Sequence, residues 1–274
     1  MAPTNNDQGF LRMTSTLLHP VPPGLRRGAA RPSWKYAAPS VFYPLAGRLL
    51  PWLYAVGALL LAAGLVLGFG FAPTDAQQGD AYRIIFLHVP AAWISMVVYL
   101  AMAFWGAVGY VFGTRLSFML MKALAPTGAL AAFLCLWTGA LWGRPTWGAW
   151  WVWDARLTSV LLLLFLYLGF IALQAAIEDP RRADRAGALL AVVGAVNVPV
   201  IYFSVQWWNT LHQGATIRLG AAPSMAPDML AALLLCALGL WAWAIASVLR
   251  RLRAIVLERE AGNDWVLKLP EVGA

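Results

Sequence analysis

Long apolar runs alternate with short polar segments along most of this chain, and the runs are the length of membrane spans. Leu157–Ile177 and Met229–Leu249 contain no charged residue, and about 20 apolar residues in a helix are enough to cross the hydrocarbon core of a bilayer. The pattern therefore predicts an all-α fold, a polytopic membrane protein with six transmembrane helices. The predicted spans cover residues 50–71, 90–112, 123–142, 157–177, 187–203 and 229–249.

The composition agrees with a membrane protein. Of the 274 residues, 61% are hydrophobic and 12% are charged, whereas soluble domains carry about 25% charged residues. The two cysteines, Cys135 and Cys236, lie far apart inside apolar runs, and no C-x-x-C motif occurs. A dithiol redox pair and covalent attachment of a c-type heme are therefore excluded, and both cysteines are expected to be small buried hydrophobes. Within the fifth span, Asn197 and Pro199 are expected to bend the helix.

The distribution of basic residues predicts the orientation. If the N-terminus is cytoplasmic, the inner segments carry 16 of the 20 lysines and arginines. The positive-inside rule then places both termini in the cytoplasm. The net charge of +8 follows this topology, so it does not indicate a nucleic-acid partner. The outer segments keep only four basic residues, which are Arg83, Arg144, Arg156 and Arg218.

Three regions follow from these patterns. Residues 1–48 are Pro-rich and basic and are predicted to form a disordered cytoplasmic extension. They are not followed by the short apolar core and cleavage site of a signal peptide. Residues 49–250 form the predicted membrane domain, and residues 251–274 form a cytoplasmic tail. The inner connections contain no glycine-rich phosphate loop, so nucleotide hydrolysis by this chain is not expected.

The outer face is predicted to consist of residues 72–89, 143–156 and 204–228. The second of these contains most of the tryptophan segment, by which we mean residues 147–158. At helical spacing, four of its residues would share one face. Tryptophans at that spacing would offer a planar aromatic ligand a flat apolar surface. The candidate binding residues of this segment are Trp147, Trp150, Trp151, Trp153, Asp154 and Arg156, and those expected on the shared face are Trp147, Trp150, Trp151 and Asp154.

Two histidines lie in the other outer segments, His88 in the first and His212 in the third. Both are candidate metal ligands, because imidazole binds heme iron axially and tryptophans could cover the porphyrin. Zinc would require three or four protein ligands, so heme fits better. The pair Trp207–Trp208 is expected either to anchor the chain at the interface or to form a second wall of the same pocket.

Asp154 and Arg156 allow two interpretations. In the first, they pair with each other, or with Arg144, at a polar helix end. Alternatively, Arg156 holds a heme propionate through a bidentate pair while Asp154 fixes the tryptophan segment by hydrogen bonding. Three other arginines are alternative propionate partners, namely Arg83, Arg144 and Arg218.

The sequence Trp-Gly-x-Trp-Trp-x-Trp-Asp-x-Arg-Leu-Thr at 147–158, together with Trp-Trp-Asn-Thr-Leu-His-Gln-Gly at 207–214, closely resembles the heme exporter protein C (CcmC) family of cytochrome c maturation. The resemblance covers about residues 45–250. It implies that heme b, iron protoporphyrin IX, is held as transported ligand on this tryptophan-rich WWD segment (outer segment 143–156), between His88 and His212 as axial ligands. The extension of about 45 residues departs from the compact family pattern.

The resemblance also implies partners and a location. With a small single-span protein, CcmD, such proteins load heme onto the periplasmic chaperone CcmE, and the CcmA and CcmB ABC transporter pair releases the loaded chaperone. The implied location is the bacterial inner membrane, with the site facing the periplasm. The implied role is heme delivery without enzymatic turnover. Cytochrome c synthetases also carry a WWD segment but typically continue it as Trp-Asp-Pro-Lys-Glu, unlike residues 153–157 here.

Three other functions remain as alternatives at this point. One is a transmembrane channel or transporter subunit for heme, which would favour polar residues within the spans; few are present besides Asn197. Another is a purely structural subunit of an ABC complex, which would not explain two histidines and a tryptophan cluster on one face. The third is a synthetase-like WWD protein.

Overall fold

A computed structural model describes residues 38–212, 220 and 223–269 of the chain. In this part of the protein the regular structure is helical, and an isolated bridge between Asp75 and Gly79 is the only β pairing. A one-turn π-helix, Leu67–Phe71, extends the first helix, and a 3₁₀ turn, Asp80–Ile84, precedes the second. The α-helices are α1 (Pro39–Val66), α2 (Ile85–Phe112), α3 (Arg115–Trp147), α4 (Ala155–Ala176), α5 (Pro180–Gly194), α6 (Asn197–Trp207), α7 (Pro227–Glu260) and α8 (Asp264–Leu267).

Within the described ranges, six helical segments are long and apolar enough to cross a membrane, which confirms the predicted number of spans. Each predicted span lies within one of these segments, except that the fourth ends one residue beyond Ala176. The helices are longer than the hydropathy pattern indicated: α1 begins at Pro39 and α7 continues to Glu260. The boundaries expected after residues 48 and 250 therefore lie inside helices. The segments are Pro39–Phe71, Asp80–Phe112, Arg115–Trp147, Ala155–Ala176, Pro180–Trp207 and Pro227–Glu260.

The fifth span is interrupted between α5 and α6, at residues 195–196. Pro199 has no N–H to donate to the carbonyl four residues earlier, which weakens the helix at this point. The side-chain amide of Asn197 donates to the Ser159 carbonyl oxygen at 2.9 Å and so ties the interruption to α4. This polar residue within the span therefore has a packing role. It lies at the start of α6, which ends at Trp207.

Close helix pairing organises the bundle, with α1 along α7 and α2 along α3. At Gly239 of α7 an added Cβ would lie 2.6 Å from the Leu61 backbone nitrogen of α1, so only glycine allows the two backbones to approach this closely. In the core, the Tyr167 hydroxyl donates to the Ser95 carbonyl at 2.8 Å. Gly128 leaves the space that this ring fills. Cys135 and Cys236 are buried and free, as expected.

Candidate functional site

Residues 148–154 of the tryptophan segment form an irregular connection between α3 and α4, so the expectation of one helical face was wrong. The helix α3 ends at Trp147, because Gly148 adopts a left-handed conformation with φ of +79° and donates its N–H to the Arg144 carbonyl at 3.1 Å. Glycine takes this conformation without the steric cost that a Cβ brings. The next helix, α4, begins at Ala155. Residues 148–154 therefore have no helical periodicity.

The four tryptophans of the tryptophan segment differ in exposure. Trp150 and Trp153 are 57% and 77% exposed, whereas Trp147 and Trp151 are half-buried. Trp151 and Trp153 meet edge to face, with ring planes 80° apart, so the rings do not lie in one plane. The buried Nε1–H of Trp151 has no protein partner among the described residues. Two exposed indoles and one unused donor are available for a ligand here.

Asp154 has two separate hydrogen-bond partners. Its Oδ1 accepts the Leu157 backbone N–H at 2.7 Å and caps the N-terminus of α4, the position that aspartate favours. Its Oδ2 lies 3.1 Å from Nδ1 of His212. Of the two interpretations from sequence, the pairing of Asp154 with Arg156 or Arg144 is not what the structure has. The carboxylate instead connects the start of α4 to the loop after α6.

His212 is held in one orientation by its surroundings. Burial lowers the pKa of the imidazole below its ordinary value, and the Asp154 carboxylate partly offsets this effect; the net direction favours the neutral ring. A neutral ring has one N–H, and the carboxylate can only accept, so Nδ1 carries the proton. The lone pair then lies on Nε2. The Trp147 ring contacts the imidazole edge to face, with centroids 4.9 Å apart.

His88 lies in the first turn of α2 and faces α3. Its Nδ1 is 3.0 Å from the Thr138 hydroxyl oxygen, and that hydroxyl donates its proton to the Leu134 carbonyl at 2.6 Å. The Trp142 ring packs edge to face on the imidazole at a centroid distance of 5.6 Å. The sequence analysis missed Thr138 and Trp142. Their one local signal is spacing, because positions 138 and 142 are one helical turn apart and share a face of α3.

Arg156 follows Asp154 by two residues, and its positive charge adds to the effect of burial in lowering the pKa of the His212 imidazole. One terminal nitrogen is 3.4 Å from the Ile201 carbonyl, and its buried Nε has no partner among the described residues. Arg83 is engaged by Asp80 and by two backbone carbonyls. Arg144 donates to the Gly148 carbonyl, and Arg218 lies outside the described residues. Among the candidate propionate partners that are described, Arg156 thus keeps unused donor capacity close to both histidines.

The aromatic pair after α6 stays accessible. Trp207 and Trp208 are each at least half exposed, and Trp207 stacks on Phe203 at a centroid distance of 5.2 Å. Trp142, on the other side of the site, donates its Nε1–H to the Gln78 side-chain oxygen at 2.7 Å. This last bond joins the segment before α2 to α3, beside His88.

Apolar grooves of about 270 and 140 Å³ lie between α2, α3 and α7. The smaller groove reaches Thr138, but neither is lined by His88 or His212. In the described ranges no three His, Cys, Asp or Glu side chains converge as a metal site would require. What the geometry offers instead is two imidazoles, each with a hydrogen-bond partner at Nδ1 and with no partner at Nε2 among the described residues. Such a pair suits a metal whose remaining ligands are supplied by a bound molecule.

The fold and this site define the class of protein. It is a six-span helical membrane protein that presents two oriented imidazoles and exposed tryptophans at one end of the helix bundle. Residues 33–267 match the family model described as CcmC, heme exporter protein C. The chain belongs to the heme exporter protein C family.

Curated relatives agree over most of the chain. Heme exporter protein C of Escherichia coli strain K12 is 46% identical over 233 residues, which is 85% of this chain and 94% of the relative. The protein of the same name from Haemophilus influenzae is 45% identical, covering 87% and 98%. That of Paracoccus denitrificans is 39% identical, covering 82% and 94%.

Proposed function

We propose that this protein binds heme at the periplasmic face of the bacterial inner membrane and transfers it to a periplasmic heme chaperone of the CcmE type during maturation of c-type cytochromes. The observation that carries the proposal is the matched state of the two histidines. In both, Nδ1 lies within hydrogen-bond distance of an acceptor, and no described residue is a hydrogen-bond partner of Nε2. Partners of this kind on the remote nitrogen orient histidines that bind metals.

Each residue of the site has a role in this proposal. His88 and His212 supply the axial ligands, and Trp150 and Trp153 offer exposed apolar surface to the porphyrin. Trp147 supports the His212 ring, and Trp151 brings an unused N–H donor. Arg156 has the free guanidinium capacity that a propionate requires. Heme b is thus handled as cargo, and the porphyrin supplies the four remaining iron ligands.

The role is delivery without enzymatic turnover. We propose that a CcmD-type small membrane protein and a CcmA/CcmB-type ABC transporter are partners, and that the ATPase of that transporter supplies any nucleotide hydrolysis. The relatives' printed name, heme exporter protein C, supports heme as cargo. The alternative of a transmembrane channel has less support, since Asn197, the polar residue expected to favour it, is used in packing against α4.

The test is heme binding by the purified protein in detergent. The wild type should give the low-spin absorption spectrum of iron with two imidazole ligands. His88→Ala and His212→Ala should each convert it to a high-spin or mixed spectrum, and the double variant should abolish it. Unchanged low-spin spectra in all three variants would refute the ligand assignment.

A matched pair of variants tests the tryptophan surface. Trp153→Ala removes an indole that is 77% exposed in the connection between α3 and α4, and Trp52→Ala removes one that is 72% exposed on α1. Heme affinity and transfer to an added CcmE-type chaperone should fall for Trp153→Ala and stay at the wild-type level for Trp52→Ala. Equal losses in both would show that exposed indoles act only through detergent or lipid contact.

A further inference from the structure

We propose that Thr138 is a positioning residue: its hydroxyl oxygen accepts a hydrogen bond from Nδ1–H of His88 and so selects Nε2 as the ligating atom. This inference rests on the proposed function, because it concerns how one of the two iron ligands is prepared. It adds a residue of α3 that lies outside the tryptophan segment and 50 positions from the histidine that it contacts.

The direction of the hydrogen bond follows from a proton count. A threonine hydroxyl has one proton, and here it is donated within α3 to the Leu134 carbonyl at 2.6 Å, with the Cys135 carbonyl at 3.3 Å. Only lone pairs of Oγ1 remain to face His88 at 3.0 Å. The imidazole must therefore be the donor, and in the neutral ring the ligating lone pair is left on Nε2.

Burial makes this selection effective. Thr138 is 7% exposed, so water has little access to replace it as the acceptor for Nδ1. The opposite tautomer would place a lone pair of Nδ1 against a lone pair of Oγ1 and leave a proton on Nε2. It would lose a hydrogen bond in a buried position, at a cost of about 1 to 3 kcal/mol.

The ring is also confined by the same face of α3. At Gly139 an added Cβ would lie 3.1 Å from Cε1 of His88, so the ring lies directly against the helix backbone there. Trp142, one turn further on, contacts the ring edge to face. Thr138 therefore acts on an imidazole whose position is already set, and its specific contribution is the choice of nitrogen.

The two histidines differ in the strength of this support. Asp154, the partner of His212, is a carboxylate, whereas the partner of His88 is a neutral hydroxyl. Hydrogen bonds to charged acceptors are roughly twice as strong as neutral ones, and a carboxylate partner raises the basicity of an imidazole ligand more. His88 is thus the weaker ligand, and removal of its partner should be visible in the heme spectrum.

The experiment compares Thr138→Val with Thr138→Ser in the full-length protein loaded with heme. Valine has nearly the shape of threonine but cannot accept a hydrogen bond, whereas serine keeps the hydroxyl. Replacing such an outer partner typically lowers metal affinity 10- to 100-fold. We expect Thr138→Val to lower heme affinity at least tenfold and to raise the high-spin fraction, and Thr138→Ser to retain the wild-type spectrum. Added free imidazole should restore the low-spin spectrum of Thr138→Val, as it should for His88→Ala.

Several results would overturn the proposal. A wild-type affinity and spectrum for Thr138→Val would do so, and so would an equal loss in the serine variant. If the valine variant does not fold, Thr138→Ala, which is smaller and cannot clash, replaces it with the same expected outcomes. If His88→Ala, His212→Ala and the double variant all keep the wild-type low-spin spectrum, the ligand assignment of the proposed function fails. If they lose it while Thr138→Val keeps it, only the role of Thr138 fails.

Discussion

Asp154 accepts two hydrogen bonds, and two substitutions can distinguish their contributions to stability and to heme binding. The Oδ1 atom caps α4 through the Leu157 N–H, and Oδ2 accepts from His212. Asparagine keeps an oxygen for the cap, and its NH₂ group then faces Nδ1 of the imidazole. The ring can satisfy this donor only by moving its proton to Nε2, as the same change does in the Ser-His-Asp triad that serves as the general template. Asp154→Asn should therefore preserve the fold and block the ligand.

Alanine at the same position removes both bonds. Loss of an N-cap costs about 1 kcal/mol, and an Nδ1–H left without a partner costs about 1 to 3 kcal/mol. The His212 side chain is 17% exposed and that of Asp154 is 9% exposed, so water offsets little of the second cost. The free energy of unfolding should fall by roughly 2 to 4 kcal/mol in Asp154→Ala and by less than about 1 kcal/mol in Asp154→Asn, which keeps the cap.

Two measurements on the same samples test this reasoning. Reversible unfolding of the heme-free protein in mixed micelles, followed by circular dichroism, gives the two stability changes. Heme titration gives the low-spin fraction, which should fall in both variants. The reasoning is refuted if Asp154→Asn destabilises the protein as much as Asp154→Ala does, or if it binds heme with the wild-type spectrum.

Three further predictions concern packing, an ion pair and pH. Gly128→Ala should lower the free energy of unfolding by about 1 to 3 kcal/mol, because the new Cβ would lie 2.1 Å from the Tyr167 ring; an unchanged unfolding midpoint would contradict this. Arg259→Ala should cost about 3 kcal/mol in the same assay, since it leaves the Asp184 carboxylate buried without its two bonds of 2.5 and 2.9 Å; a cost below about 1 kcal/mol would indicate a solvated pair. Asp179 accepts the Arg182 backbone N–H at the start of α5, and this bond lowers the pKa of its carboxyl below the ordinary 3.8. The cap is complete above 3.8 and is lost as the pH falls through the lowered pKa. Hydrogen-exchange protection at the start of α5, taken relative to the intrinsic exchange rate at each pH, should therefore fall in acid for the wild type but not for Asp179→Asn.

The six spans were predictable because each depends on local composition alone. A run such as residues 157–177 is long and apolar enough to cross a membrane wherever it packs. The break in the fifth span was also foreseeable from Pro199, whose missing N–H acts within its own helix. The extra turns of α1 and α7 were missed because polar residues at helix ends do not register as membrane-spanning.

The tryptophan segment shows where periodicity misleads. Trp147, Trp150, Trp151 and Asp154 have helical spacing, yet Gly148 ends α3 and Asp154 starts α4. Both signals were present in the sequence, as a glycine and an N-capping aspartate, but spacing was weighed above them. Glycine at a helix C-terminus and aspartate at an N-cap act locally on the backbone, whereas helical spacing of side chains does not by itself require a helix.

The sequence by itself determined the membrane class of this protein and the number of its spans, because these depend on composition, and short motifs were enough to propose which side chains are ligands. Only the tertiary structure decided how those side chains are paired. Asp154 and His212 are 58 positions apart, and His88 and Thr138 are 50 apart. Which nitrogen of each imidazole keeps its lone pair depends on the partner that helix packing brings within 3.1 Å, and no local pattern in the chain specifies that partner.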